Sequence, residues 1–360
     1  MVNITDQITD QVKEYYGKQL QGSKDLKTSV CCCSQDSFPN ELRTVIPLIA
    51  EEILNRFYGC GSPLPPMLQG MTVLDLGCGT GRDVYIASAL VGESGRVIGV
   101  DMTTEQLEVA RRYEDYQREQ FGYSKSNVAF RQGYIEDLVA CGIDDDSVDV
   151  VISNCVINLS PDKERVFKEI YRVLKPGGEL YFSDVFSDRR IPVEIVNDEV
   201  VRGECLGGAL YVEDFRRLME KTGFLDFRYA TICDLTVDDL DIAIKTGNIR
   251  FTSRTVRAFK LASLEDRGED YRQVAIYEGV IPGYPHHFDL DCRYHFVTGK
   301  PTFVCGNTAM MLKESRYGRA FSVLGDRTVH YGLFDRPDSV GGCADGCESD
   351  KPASSSSCCC

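Results

Sequence analysis

The sequence predicts an α/β protein built on a parallel sheet with helices on both faces. Residues 73–76 are typical of a buried strand, and they run into a glycine-rich turn and then a helix. A second apolar strand, residues 96–100, ends at Asp101, twenty residues after Gly81. Beyond it, apolar strands and amphipathic helices alternate, which is the pattern of consecutive βα units. These observations predict a Rossmann-like core.

The other elements of this core follow in order. Three further strands are predicted, at residues 128–130, 148–153 and 179–184. The second of these is nearly all apolar, as a central parallel strand requires. One helix begins at residue 103, where apolar positions recur at helical spacing. Another is predicted to be capped by Ser160, with Pro161 in its first turn, and to stop at residues 177–178.

The glycine-rich turn is typical of a cofactor site. Glycines at 77, 79 and 81 allow a tight turn close to a ligand, and the helix that follows offers unpaired N–H groups. The spacing G-x-G-x-G is shorter than the dinucleotide fingerprint G-x-G-x-x-G. With a carboxylate at Asp75 and another at Asp101, this turn resembles that of the class I S-adenosylmethionine-dependent methyltransferases. The alternative is a Rossmann-like turn that binds no ligand.

The composition favours an enzyme of two or three lobes that acts on a small molecule. The chain has 360 residues, more than one core usually holds. Lysine and arginine total 40 against 55 acidic residues, so the net charge of −15 argues against a nucleic-acid partner. The first residues show no basic segment followed by an apolar run, and no apolar stretch is long enough to span a membrane. We expect a cytoplasmic monomer with no membrane partner.

Sixteen cysteines are the second unusual feature. In a chain without a secretory signal, we expect thiols for binding or redox chemistry rather than structural disulfides. A triplet occupies residues 31–33, Cys60 lies in a glycine-proline loop, and Cys205 is surrounded by glycines. Cys155 follows the fourth strand, where ligands bind in such sheets. Several thiolates suit a soft metal or metalloid. For each cysteine alone, the alternative is a buried, unreactive thiol.

Four segments carry a more specific resemblance, because they are similar to segments of the arsenite methyltransferases: residues 15–17, 58–61, 153–159 with 161–163, and 203–211. The likeness runs from about residue 10 to about residue 335. It implies that four cysteines serve the substrate, namely Cys31, Cys60, Cys155 and Cys205, with Cys32 or Cys33 as substitutes for the first. Three of them, Cys60, Cys155 and Cys205, would bind trivalent arsenic as the substrate.

The resemblance also implies the chemistry. Arsenite arrives as a conjugate with glutathione or another small thiol, exchanges onto the protein thiolates, and keeps a lone pair that attacks the methyl carbon of S-adenosylmethionine. No general base is needed, because arsenic carries no proton. Cys31 and Cys60 could supply two electrons by forming a disulfide, which thioredoxin or glutathione would reopen. The expected function is detoxifying methylation of arsenite and methylarsenite.

By the same matching, a set of residues is expected around S-adenosylmethionine: Tyr58, Asp75, Gly77, Gly79, Arg82, Asp101, Met102, Ile135, Glu136, Asn154 and Val156. Asp101 would bind the ribose hydroxyls, and Glu136 would accept a hydrogen bond from the adenine amino group. For Tyr58 and Arg82, the alternatives are a packed ring and a surface ion pair.

Four regions are predicted along the chain. They are an N-terminal helical segment with substrate cysteines (1–70), a cofactor-binding domain (71–235) with an arsenic-binding loop around 186–212, a C-terminal α+β domain (236–337), and a disordered tail rich in cysteine and serine (338–360).

In the C-terminal domain, residues 274–277 and 292–297 are predicted strands, and Asn307 is predicted to cap a helix. The residues His286, His287, Cys292 and His295 suggest a zinc site. Strand alternation would put Cys292 and His295 on opposite faces, so we predict no structural metal.

Two other functional classes stay open. A methyltransferase for a thiol, a selenium compound or a lipid precursor would share the cofactor site but would not require the three cysteines. A non-catalytic metalloid-binding protein would need the cysteines but not Asp75 and Asp101. Both sets of residues occur in this chain, which favours the arsenic transferase.

Overall fold

The computed structural model describes residues 13, 40–57, 59, 61 and 63–334. The helices in this part of the chain are α1 (Asn40–Val45), α2 (Glu51–Asn55), α3 (Arg82–Val91), α4 (Thr104–Arg112), α5 (Glu114–Gln120), α6 (Lys163–Val173), α7 (Val193–Val196), α8 (Glu199–Gly203), α9 (Val212–Lys221), α10 (Leu240–Thr246) and α11 (Gly306–Glu314). Short 3₁₀ helices lie at Ile46–Leu48, Ile157–Leu159 and Arg316–Arg319. No helix among the described residues combines the length and the apolar character needed to cross a bilayer.

The strands are β1 (Thr72–Leu76), β2 (Arg96–Asp101), β3 (Val128–Gln132), β4 (Val148–Asn154), β5 (Leu174–Ser187), β6 (Leu210–Tyr211), β7 (Phe227–Leu235), β8 (Phe251–Phe259), β9 (Gln273–Tyr277), β10 (His287–Asp289), β11 (His295–Val297), β12 (Thr302–Val304) and β13 (Phe321–Leu324). The predicted tail, and the predicted N-terminal segment up to residue 39 apart from residue 13, lie outside the described residues.

In the described chain, eight strands form one sheet in the order β3-β2-β1-β4-β5-β8-β7, with β6 beside β5. Strands β1 to β5 are parallel, and β8 runs antiparallel to both β5 and β7. The strand order reverses between β1 and β4, so the carboxyl ends of these strands border a crevice. The predicted α/β fold is confirmed, and the crevice lies where a ligand site is expected.

Helices cover both faces of this sheet, because its central strands are apolar on both sides. In β4, Val151 packs into the core on one face, while Val150 and Ile152 pack into the core on the other. Helix α6 contributes Phe167 to the first core, and α3 contributes Val84 to the second. A central parallel strand buried in this way is held rigidly, and so are the residues that follow it.

A smaller unit follows β8. Strand β9 lies between β12 and β13 in an antiparallel sheet, and β10 pairs with β11 in a separate hairpin. The strand predicted at residues 274–277 is confirmed as part of β9. The strand predicted at 292–297 is shorter than expected, because Cys292 lies in the bend between β10 and β11.

A buried ionic cluster centred on Glu179 of β5 joins the two units. The Arg257 Nε of β8 lies 2.7 Å from Glu179 Oε1, and the Arg316 Nη2 lies 2.5 Å from Glu179 Oε2. Both arginines also donate to the Tyr317 hydroxyl. Arg316 Nε donates to the Pro66 carbonyl at 3.1 Å, so the cluster reaches the loop that precedes β1.

Three predictions need correction. The domain boundary predicted at residue 235 falls inside the large sheet, because β8 pairs with both β5 and β7. Ser160 does not cap α6, since the Asp162 carboxylate accepts the Arg165 N–H at 3.0 Å and the helix begins at residue 163. Cys305, rather than Asn307, caps α11. Each of these features depends on a contact between side chains or strands that local sequence pattern does not specify.

Candidate active site

A cleft opens at the carboxyl ends of β1, β2 and β4 and encloses about 1060 Å³ of space, including its open mouth. Its walls contain ten of the eleven predicted cofactor residues: Asp75, Gly77, Gly79, Arg82, Asp101, Met102, Ile135, Glu136, Asn154 and Val156. The eleventh, Tyr58, lies outside the described residues. The structure therefore brings together residues that are up to 81 positions apart in the sequence, from Asp75 to Val156.

The glycine turn after β1 forms the floor of the cleft. The Gly77 N–H donates to the Val100 carbonyl at 2.8 Å, which binds the turn to β2. Gly77 has φ of +70°, and a Cβ there would lie 2.3 Å from a methyl carbon of Val156. Gly81 has φ of +88° at the N-cap of α3. Both positions therefore need glycine, and the turn holds the start of α3 against the cleft.

Asp101 is held at the rim by the turn itself. Its carboxylate accepts the Gly79 N–H and the Thr103 N–H, each at 2.8 Å. Burial raises the pKa of Asp101, and these hydrogen bonds oppose the rise. Each oxygen has a further lone pair, so the carboxylate can accept hydroxyl donors from a ligand while it keeps these two contacts.

The cleft is electrostatically suited to a cation. Burial raises the pKa of Asp75 well above its usual range, and the nearby Asp83 and Asp101 raise it further. Three carboxyl groups in one cleft repel one another, so a positively charged ligand relieves the repulsion. S-adenosylmethionine carries a sulfonium and an ammonium group, whereas a phosphate-bearing cofactor would add negative charge. The donor set therefore fits the predicted cofactor.

Arg82 lies in this wall and not on the surface. Its Nη1 lies 2.8 Å from Asp83 Oδ1, and its guanidinium carbon lies 3.9 Å from the centre of the Phe57 ring. Only 7% of Arg82 is exposed, so the alternative of a surface ion pair is wrong. Asp83 and Phe57 also line the cleft, although sequence reasoning did not assign them to the site. Asp83 could have been predicted as a site residue, because it is an acidic residue in the first turn of the helix that follows the glycine turn.

Asn154, the last residue of β4, fastens a second loop to the cleft. Its Oδ1 accepts the Gly61 N–H at 3.2 Å, and its Nδ2 donates to the Gly61 carbonyl at 2.9 Å. The same Nδ2 donates to Asp83 Oδ2 at 2.9 Å. The side-chain amide therefore joins Gly61 to the first turn of α3. Cys60 itself lies outside the described residues, as does Cys31.

Cys155 and Cys205 come together although they are 50 positions apart, and the Cys205 Sγ donates to the Cys155 carbonyl at 3.2 Å. Both have positive φ, +56° for Cys155 and +63° for Cys205. This conformation is costly for residues other than glycine, and it is found mainly where the surrounding structure enforces it, often at functional sites. Cys155 also lines the cleft. The structure thus joins a predicted arsenic ligand to the predicted cofactor site.

The redox states of these two cysteines differ in the structure. Cys155 is disulfide-bonded, and none of the other six described cysteines is its partner, because each of them carries a thiol. A sulfur in a disulfide cannot bind arsenic as a thiolate. The predicted pairing of Cys31 with Cys60 stays a prediction, because both residues lie outside the described part of the chain.

A polar network that sequence reasoning missed lies beside the two cysteines. The Asp184 carboxylate accepts the Asn158 side-chain amide at 2.7 Å and the Asn158 N–H at 3.1 Å. Burial raises the pKa of Asp184 to about 7. Burial also lowers the pKa of Lys163 to about 8, an effect that Asp184, Glu136 and Cys205 partly oppose. Lys163 and Cys205 are therefore close enough to interact electrostatically.

The parallel sheet, the glycine turn and the acidic cleft define a class I S-adenosylmethionine-dependent methyltransferase. Residues 68–223 match the family model of a methyltransferase domain, and residues 270–330 match that of the arsenite methyltransferase C-terminal domain.

Relatives of known name agree along most of the chain. An arsenite methyltransferase of Aquipseudomonas alcaligenes is 50% identical over 353 residues, which are 97% of this chain and 99% of that protein. The human arsenite methyltransferase is 43% identical over 317 residues, covering 88% of this chain and 84% of that protein. The crystal structure of CrArsM, an arsenic(III) S-adenosylmethionine methyltransferase from Chlamydomonas reinhardtii, aligns with a TM-score of 0.81 at 51% identity, covering 83% of this chain and 100% of that one. The chain belongs to the arsenite methyltransferase family.

Proposed function

We propose that this chain transfers a methyl group to trivalent arsenic held by protein thiolates, with arsenite and methylarsenite as substrates. The observation that carries the proposal is the contact of Cys205 with Cys155 at the wall of an acidic cofactor cleft. Thiolate sulfur is the preferred ligand of a soft metalloid. A cleft for the methyl donor and a pair of adjacent cysteines are the two parts that this reaction requires, and the external reductant must first open the Cys155 disulfide to give the thiolate.

The residues of the cleft have separable roles. We assign Asp101 to the ribose hydroxyls and Glu136, whose carboxylate accepts the Ser160 hydroxyl, to the adenine amino group. Asp75 and Asp83, which line the same cleft, would favour the cationic groups of the cofactor. S-adenosylmethionine, when bound, supplies a methyl group whose bond to sulfur breaks as the arsenic lone pair forms the As–C bond, leaving a neutral thioether.

The protein's main contribution to this displacement is alignment. No proton has to be removed from arsenic, so no general base is required. Asn154 holds Gly61 against the strand end that carries Cys155. Holding the arsenic and the methyl carbon in line can account for a large part of the rate enhancement.

The redox part of the proposal follows from the electron balance. Methylation raises the formal oxidation state of arsenic by two, so a two-electron reductant must restore the trivalent state. We assign this role to cysteine pairs that form disulfides, with Cys31 and Cys60 as candidates and thioredoxin or glutathione as the external reductant. A reducing cytoplasm and a monomeric enzyme complete the proposal.

The test replaces one arsenic ligand and leaves the cofactor site intact. We expect Cys205→Ser to lose methylation of both arsenite and methylarsenite, while the affinity for S-adenosylmethionine, measured by calorimetry, stays unchanged. The control is Cys233→Ser, which changes an exposed cysteine on β7 and should leave both measurements unaffected.

The outcomes separate the alternatives. If Cys205→Ser methylates arsenite at the wild-type rate, the cysteine site is wrong, and a thiol, selenium or lipid-precursor methyltransferase becomes the better hypothesis. If the wild-type enzyme binds arsenite but yields no methylated arsenic with cofactor and reductant present, the chain is a metalloid-binding protein.

A further inference from the structure

The hairpin of β10 and β11 gathers three metal-ligating side chains on one face. Its register pairs Asp289 with His295 and His287 with Val297. Alternate residues of a strand share a face, and residues paired across strands share it too. His287, Asp289 and His295 therefore all project to solvent, and all three are exposed.

The opposite face of the hairpin is anchored in the C-terminal core. Phe288 is 2% exposed and Phe296 is fully buried. At the bend, the Asp291 carboxylate accepts the N–H groups of Arg293 and Tyr294, at 2.7 and 2.9 Å. These contacts hold the two strands in one register, so the exposed side chains start from fixed backbone positions.

The three side chains lie close enough to share an ion. One ligand atom from each lies within 4.8 Å of the ligand atoms of the other two. The rings of His287 and His295 are 4.9 Å apart at their centres. His295 Nδ1 lies 2.5 Å from Asp289 Oδ1. The imidazole of His295 and the carboxylate of Asp289 therefore face one another on this side of the hairpin.

We propose that His287, Asp289 and His295 form a binding site for a divalent transition-metal ion of the zinc class. Two imidazoles and one carboxylate are ligands that such an ion accepts, and three protein ligands leave positions open for water. The site differs from the set that the sequence suggests, since Asp289 is a member and Cys292 is not. Its donors are nitrogen and oxygen, so it does not compete with the thiolates for arsenic.

An ion at this site would be exchangeable, because all three ligands face solvent. It would stabilise the hairpin by an amount that rises with the logarithm of the free metal concentration once that concentration exceeds the Kd. The site is thus separate from the cofactor cleft and is not a structural metal on which the fold depends.

The experiment uses the small number of histidines. The chain has four, at 286, 287, 295 and 330, so imidazole NMR signals of the full-length reduced protein can be assigned by single substitutions. Zinc chloride is the probe. Cysteine thiols will also bind zinc, but the imidazole signals report on the hairpin alone.

We expect zinc to shift the His287 and His295 signals with one common midpoint, while those of His286 and His330 stay in place. Asp289→Asn should raise the zinc concentration at that midpoint by about tenfold or more, as loss of a carboxylate partner does at metal sites. His286→Ala, an exposed neighbour outside the cluster, is the matched control and should leave the midpoint unchanged. Signals of His287 and His295 that never move, that move together with all four histidines, or that respond equally in Asp289→Asn would overturn the site.

Discussion

Replacing Gly208 with alanine perturbs the Cys205 loop without removing a sulfur. A Cβ at this position would lie 2.0 Å from the backbone oxygen of Asn158. That oxygen cannot move away easily, because Asn158 is held by Asp184 through its own N–H and its side-chain amide. Ordinary contact needs about 3.4 Å, so the loop must retreat by about 1.4 Å.

The expected magnitude follows from this displacement. Overpacking costs about 1–3 kcal/mol, and a rigid backbone neighbour places Gly208→Ala at the upper end. This cost is a loss of folding stability. The effect on catalysis comes from the displaced loop, because a misalignment of about 1 Å at reacting groups lowers the rate by about a hundredfold. We therefore expect kcat/KM for arsenite to fall by about a hundredfold.

The assay compares arsenite turnover with cofactor binding. Affinity for S-adenosylmethionine should stay within about threefold, or about 0.6 kcal/mol, because Gly208 does not line the cofactor cleft. Gly207→Ala is the graded control, since its Cβ would lie 3.1 Å from Arg202 backbone atoms and needs a much smaller adjustment. Wild-type arsenite turnover in Gly208→Ala, or an equal loss of cofactor affinity, would refute the assignment of this loop to the substrate.

The other predictions concern charge, loop attachment and the contact between the two units. Burial and two neighbouring carboxyls raise the pKa of Asp75, and protonation of this carboxyl removes negative charge that favours a cationic cofactor. Affinity for S-adenosylmethionine should therefore fall as the pH decreases toward the raised pKa. Calorimetry in buffers of different ionisation enthalpy should show that protons are released when the cofactor binds. Proton uptake on binding would contradict this prediction. Asn154→Ala removes three hydrogen bonds, each worth about 0.5–1.5 kcal/mol. This change should lower kcat/KM for arsenite by at least about tenfold. Unchanged kinetics would show that the attachment of Gly61 does not depend on this side chain. Arg316→Met leaves Glu179 with one of its two buried arginine partners and should lower the free energy of unfolding by about 3 kcal/mol in a denaturant titration. The control, Arg319→Met at an exposed position, should change the free energy of unfolding by less than about 0.5 kcal/mol. Equal effects of the two substitutions would refute a special role for the cluster.

The glycine turn and its acidic partners could be predicted from the sequence because their roles are local. Gly77 and Gly81 have backbone conformations that other residues avoid. The strand before them and the helix after them identify the segment as a turn at a strand end. The spacing of apolar residues, and the turn-forming residues between the apolar segments, likewise predicted β1 to β5.

The remainder depends on contacts between distant segments. Asp184 and Lys163 meet beside Cys205 only because β5 lies next to β4 and the helix after β4 crosses back over the sheet. The antiparallel pairing of β8 is also non-local, so the sequence pattern did not reveal that the large sheet continues beyond residue 235. The cap of α6 was misassigned because Ser160 and Asp162 are both good capping residues, and only the hydrogen bond to the Arg165 N–H decides between them.

The ionic cluster around Glu179 has a consequence for how the molecule unfolds. Separating the large sheet from the C-terminal unit would break the ion pair between Glu179 and Arg316. In addition, Met67, just before β1, is packed in the C-terminal core. Melting of the C-terminal unit would leave Glu179 with one of its two arginine partners and would release the residues that lead into the glycine turn. The two units should therefore lose structure in one cooperative transition, and a ligand that occupies the cleft should protect backbone amides of the small antiparallel sheet, far from any atom that it touches.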